Sequence, residues 1–120
     1  HRQLFNGPMS DIEEALKRIT AHSGVMGVAV LDDAGKLARY SLPQELAEKY
    51  GEQIFVLQSI ARTAVRDVDP QNDLTYFRID TKRFEILVAP FWGEVRYGVT
   101  GATREKGYTL FVLQRKPGQT

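Results

Sequence analysis

The chain has 120 residues, a length that suits one domain with a modest core. Its 16 basic and 15 acidic side chains leave a formal net charge of +1, which gives no electrostatic ground for a nucleic-acid or membrane-surface partner. The absence of cysteine excludes disulfides, thiolate metal sites and cysteine nucleophiles, and no run is apolar enough to span a bilayer as a helix.

The first eight residues, His1-Arg2-Gln3-Leu4-Phe5-Asn6-Gly7-Pro8, read as the remnant of a cleavable tag, with Met9 as the native start. A single domain is expected over residues 9–116, with a short tail at 117–120. Ser10 and Glu13 have the spacing of a capping box. Ile12, Ala15, Leu16 and Ile19 then follow at helical intervals, so a short amphipathic helix is predicted over about residues 11–22. Gly24 suits a left-handed cap after it.

Residues 25–31 read as a strand with apolar side chains on both faces, which predicts a sheet covered on both sides. Asp32-Asp33-Ala34-Gly35 is a turn, with Gly35 able to take a positive φ. A more polar strand over residues 36–41 completes a hairpin. Leu42-Pro43 breaks the sheet and opens a long helix, with Pro43 in its first turn and Glu45 and Glu48 suiting its positive end.

Along that helix Leu46, Tyr50, Ile54, Leu57, Ala61, Ala64 and Val68 form a stripe in steps of three and four. Gly51 costs about 1 kcal/mol against alanine without ending the helix. Phe55, Val56 and Ile60 lie beside the stripe and widen the apolar surface beyond what one sheet can cover. A partner chain is the economical cover. Pro70 disfavours helical geometry at Asp69, so the helix should stop there, and Asn72-Asp73 supply turn chemistry.

A third strand is expected over residues 74–80, a tight turn at 80–83, a fourth strand over 84–89 and a fifth over 108–114. The connection between the last two, residues 91–107, carries Gly93, Gly98, Gly101 and Gly107, and is long for a compact domain. Val95, Tyr97 and Val99 alternate within it. The reading is an extension of both strands near the sheet, with a mobile tip around residues 101–106.

Little here supports catalysis. His22 is the only histidine outside the presumed tag, and it suits a helix C-terminus better than a base without triad partners. Asp32-Asp33 is better explained by the turn than by a metal, and Asp67 and Asp69 by local capping. The glycines of Gly24-Val25-Met26-Gly27 follow a helix and precede a strand, the reverse of a dinucleotide fingerprint. Tyr76, Phe77 and Arg78 fit a buried sheet better than an RNA-stacking strand. No catalytic, cofactor-binding or metal-binding residue is assigned.

The run Val65-Arg66-Asp67-Val68-Asp69-Pro70-Gln71-Asn72-Asp73-Leu74-Thr75 resembles the signature of roadblock-type dynein light chains. The resemblance extends over Glu13-Glu14-Ala15-Leu16-Lys17-Arg18, Gly24-Val25-Met26-Gly27, the stretch to Ile79, and Glu85-Ile86-Leu87-Val88-Ala89-Pro90, and resumes over residues 108–114. It implies an α/β fold of order αββαβββ: a five-stranded, mostly antiparallel sheet with a helix on each face, joined to a second sheet across a homodimer. The interface it implies comprises Phe55, Val56, Ile60, Thr63, Leu74, Thr75, Tyr76, Phe77 and Arg78. It also implies a non-catalytic cytoplasmic and cytoskeletal adaptor, without cofactor, that binds the dynein intermediate chain in the motor tail and supports cargo attachment to a microtubule motor. Cytoplasmic and ciliary or axonemal dyneins remain open at this level, as do homodimer and heterodimer. The alternative is a roadblock-fold scaffold or regulator of a small GTPase. Residues 91–107 depart from the family, which has a short turn there, and Phe91, Trp92 and Tyr97 are candidates for an accessory contact.

Overall fold

The computed structural model describes residue 14 and residues 16–97 and 102–116. The chain begins with helical residues at 16–20 (α1), followed by a turn in which Gly24 has φ +92°. The proposed capping box and tag remnant lie outside the described residues. Strand β1 (Val25–Leu31) pairs antiparallel with β2 (Leu37–Tyr40) through a turn built on Asp32. Asp32 Oδ1 accepts from the Ala34 and Lys36 amides, both at 2.9 Å, and Gly35 takes φ +86°. Asp32 is thus turn chemistry, as the spacing of the pair suggested.

Helix α2 (Gln44–Val68) starts at Pro43, which stands at the N-cap, one step before the expected first turn. It ends as expected. Asp69 is extended, at φ −143° and ψ 97°, because the following proline disfavours the helical region. Strands β3 (Phe77–Asp80), β4 (Phe84–Tyr97) and β5 (Ala102–Arg115) complete an antiparallel sheet of order β2-β1-β5-β4-β3.

The two faces of this sheet carry separate cores. On one, Ala29, Leu31, Ile86, Val88, Phe111 and Leu113 pack with Ala47 and Ile54 of α2. On the other, Val28, Val30, Leu110 and Val112 are joined by Leu16 and Ile19 of α1. The double covering read from β1 is therefore present, and so is the αββαβββ order.

The stripe assigned to α2 is rotated. The buried positions are Ala47, Gly51, Ile54 and Gln58, while Leu46, Leu57, Ala64 and Val68 of the expected stripe are exposed. Apolar residues cover so much of this helix that periodicity does not select one side. Close approach does: a Cβ added at Gly51 would lie 2.9 Å from Leu31 Cδ2. The small residues Ala47 and Gly51 bring this side of the helix close to the sheet, beside Ile54, and Leu46, Leu57 and Val68 are left outside.

Two strand expectations also change. The third strand begins at Phe77, three residues later than expected. Across the hairpin end, the Thr81 amide donates to the Phe84 carbonyl at 2.9 Å, so the alternation directs the main chain of Ile86, Val88 and Pro90 toward β3. The next rung after Phe77 and Val88 would set Thr75 opposite Pro90, which has no N–H to donate. Conversely, β4 and β5 run far past their expected ends. Their pairing continues from Phe84 opposite Arg115 to Tyr97 opposite Ala102. Residues 102–106, expected in a mobile tip, are instead paired strand, set opposite residues 93–97 of β4. Gly101 lies outside the described residues.

Candidate partner-binding surface

The rotation of α2 leaves an apolar face directed away from the sheet. Val56 is 56 % exposed, Leu57 41 % and Ile60 61 %. Next to them a shallow groove of about 420 Å³ is lined by Ser59, Ile60, Thr63, Ala64 and Asp67. Such a stripe on a helix already packed by its other side is poorly suited to water.

The segment after the helix is tied back against it. The Arg62 guanidinium grips Asp73 with two hydrogen bonds, Nε to Oδ1 at 2.8 Å and Nη2 to Oδ2 at 3.0 Å. Arg66, one turn on, donates to the same Oδ2 at 3.3 Å. Asp73 Oδ1 also accepts the Leu74 amide at 2.8 Å. Within the loop, the Asn72 amide donates to the Asp69 carbonyl at 2.9 Å, and Asp69 Oδ1 accepts the Gln71 amide at 3.1 Å. The Arg62 hydrogen bond, the Leu74 amide and the two positive charges outweigh partial burial and hold the Asp73 carboxyl down at about 2. Its charge therefore persists at all but strongly acidic pH, and the start of the edge segment stays fastened to the helix.

The predicted interface residues divide into two sets. Val56, Ile60 and Thr63 lie exposed on α2, and Thr75, Tyr76 and Arg78 lie exposed along the edge segment, where Arg78 pairs with Glu85 at 3.7 Å. Leu74 is half-buried. Phe55 and Phe77 turn inward and pack against the core beneath α2, with Phe55 also closing over Gly35. Leu57, which the stripe had assigned to the core, belongs to the outer face. Of the accessory candidates, Phe91 is 37 % exposed at the base of the long hairpin. Trp92 and Tyr97 are placed in β4 by their backbones.

The Arg62–Asp73–Arg66 clasp escaped the sequence reading. Its only signal was two arginines one helical turn apart, before a proline and an aspartate, and a turn role explained that aspartate equally well. Buried Gln58 was missed for the same kind of reason. It is 2 % exposed; its amide donates to Ser59 Oγ at 3.2 Å, and its Oε1 meets no donor among the described residues. Also among the described residues, no three acidic or histidine side chains gather where they could hold a metal. His22 is exposed in the turn after α1.

Compared with known proteins, residues 11–91 match the family model of the Roadblock/LC7 domain. The chain belongs to this family. Among solved structures, it resembles the crystal structure of a Roadblock/LC7 domain from Streptomyces avermitilis, with a TM-score of 0.62 at 14 % identity. The likeness covers 82 % of this chain and 72 % of that one, and it is a likeness of fold. The Roadblock/LC7 match ends at residue 91, one rung beyond the pairing of Pro90 with Thr109. It therefore takes in α2, the clasp and β3, and leaves out the projecting part of the β4–β5 hairpin.

Proposed function

We propose that this Roadblock/LC7 chain is a non-catalytic adaptor that pairs with a second copy through the outer face of α2 and the β3 edge. The observation that carries the reading is the exposed Val56, Leu57 and Ile60 face, adjoining an edge strand whose approach is fastened to the same helix by Asp73. Apposing two such faces removes apolar surface from water, at about 25 cal/mol per Å² before the costs of association. It also gives the open edge of β3 strand partners.

The finer reading is a dynein light chain that binds the intermediate chain in the motor tail. Its support is the Val65-to-Thr75 run, in which Asp73 is the residue both arginines grip. Light scattering at micromolar concentration should give twice the 13.6 kDa chain mass. Ile60→Asp should give a folded monomer; a wild type that stays monomeric would sink the dimer. The partner is tested by pull-down of an intermediate-chain segment beside a panel of nucleotide-loaded small GTPases. Capture of a GTPase instead of the segment would transfer the reading to the GTPase class.

A further inference from the structure

The sheet has a second outer strand. At the edge opposite β3 lies β2, and among the described residues no strand pairs beyond it. Its rungs to β1 fix which way its main chain points. The Ser41 amide donates to the Val28 carbonyl at 2.9 Å, and Arg39 stands opposite Val30, two residues further along each strand. By the period of two, Tyr40 between them turns its N–H and C=O outward. The register shift between Val30 and Leu31 leaves Ala38 without a β1 partner. Unpaired main-chain groups on an outer strand are a template for one more strand.

Grooves of opposite charge flank this edge on the two faces of the sheet. On the α2 face, a groove of about 490 Å³ has Leu31 and Leu37 as its aliphatic lining, with Glu48 and Glu52 of α2 along one wall. These two carboxylates lie one helical turn apart. Glu48 accepts only the Gln44 amide, at 3.4 Å, and neither carboxylate forms an ion pair among the described residues. Lys36 also lines the groove but reaches neither of them, so the surplus charge is negative.

On the α1 face, a smaller hollow of about 200 Å³ lies between Leu16, Lys17 and Thr20 of α1 and Val28, Arg39 and Ser41 of the hairpin. Among the described residues no carboxylate lines it, and the exposed Lys17 ammonium forms no ion pair. Glu14 meets Lys17 only in a separate hollow, which Arg18 also lines. The α1 side of the edge is therefore positive and the α2 side negative.

From this arrangement we infer that the outer edge of β2 receives an extended segment of a partner protein, with acidic and basic side chains in alternation, as an added strand. Its main chain pairs with Tyr40. Its basic side chains turn to the α2 face, where their aliphatic stems cover Leu37 and their charged ends meet Glu48 and Glu52. Its acidic side chains, one residue on, turn to the α1 face and Lys17. A segment of the same composition without the alternation presents both charges to each groove in any register. Main-chain pairing supplies the attachment, and the sorted charges set the choice of partner. The site lies at the far edge of the sheet from β3 and stands whether or not the chain dimerises through α2.

The test uses the whole chain and two fluorescent octapeptides of one composition, Thr-Glu-Lys-Glu-Lys-Glu-Lys-Thr and Thr-Glu-Glu-Glu-Lys-Lys-Lys-Thr. Anisotropy at neutral pH and moderate salt should show the alternating peptide binding at least about tenfold more tightly than the block peptide. Tyr40→Pro removes the outward N–H while leaving the rungs of Arg39 and Ser41 to β1, and should weaken that binding by about tenfold or more. Tyr40→Ala, which keeps the N–H, should weaken it by no more than about threefold. The double variant Glu48→Lys, Glu52→Lys should act like the proline, with the circular dichroism and light-scattering mass of the wild type retained. If circular dichroism shows that the proline unfolds the protein, the double variant decides alone. The inference is overturned if the alternating peptide does not bind, if the block peptide binds as tightly, or if a folded Tyr40→Pro or the double variant binds unchanged. A wild-type mass above that of a dimer, lowered by Tyr40→Pro, would also overturn it, by assigning the edge to a further copy of this chain. Unchanged scattering mass in the variants separates a failure here from a failure of the dimer.

Discussion

Removing the charge of Asp73 tests the fastening of the edge segment to α2. In Asp73→Asn the side chain keeps its shape and can still accept the Leu74 amide, but it leaves Arg62 and Arg66 without their shared anion. A carboxyl lowered from 3.8 to about 2 corresponds to at most about 2.4 kcal/mol at 1.36 kcal/mol per unit. The carboxylate is 33 % exposed and Arg62 17 %, so solvent screening reduces this to about 1 kcal/mol. For a domain of this size the melting temperature should fall by about 4 °C. The sign with pH follows from the depressed value. The wild-type advantage is complete above the ordinary carboxyl range, begins to decline below about pH 5, and is mostly lost as pH falls through the native value of about 2. Urea unfolding of both proteins at one fixed concentration, at neutral pH and at pH 2, measures this. A gap that is absent at neutral pH, or undiminished at pH 2, would refute the electrostatic account of the clasp. A double-mutant cycle with Arg62→Met should return most of the gap as coupling.

Other consequences follow from packing. Gly35→Ala places a Cβ 2.8 Å from the Phe55 ring at a residue with φ +86°, and should cost about 1–3 kcal/mol in urea unfolding; a neutral result would mean that the turn and Phe55 shift freely. Gln58→Met exchanges a buried carbonyl oxygen that lacks a donor for an apolar group of similar volume, so calorimetry should show unchanged or higher stability, by up to about 1 kcal/mol. A loss above that range would mean that Gln58 Oε1 is satisfied. Replacing residues 92–106 by a short turn should leave the unfolding midpoint of the remaining domain nearly unchanged, because both buried cores lie on rungs before that point. A large drop in midpoint would place the hairpin extension within the core.

Much of this fold was legible in local patterns. β1 was bounded correctly because an apolar run between two glycine-containing turns has one good solution, and Gly35 marked the only economical way round the first hairpin. Pro70 ended α2 through sterics with the preceding residue, which needs no tertiary information. Alternation around Val95 and Tyr97 announced that β4 would lengthen. It did not give the end, since Thr103 to Lys106 are all polar and carry no strand period until the opposing strand is aligned with them.

Tertiary structure decided the features on which the binding proposals rest. The side of α2 that meets the sheet was chosen by close approach at Ala47 and Gly51, since an apolar helix surface this wide fits several rotations until a second surface selects among them. The start of β3 was set by Pro90 on another strand, a partner that no window around Leu74 contains. The Arg62–Asp73 clasp joins residues eleven apart only because the chain reverses at Pro70 and brings the carboxylate back along the helix. Propensity and steric stops act between neighbours in sequence and can be read from it. Choices among equivalent faces, missing donors across a sheet and charge pairs across a reversal depend on distances that exist only after the chain has folded.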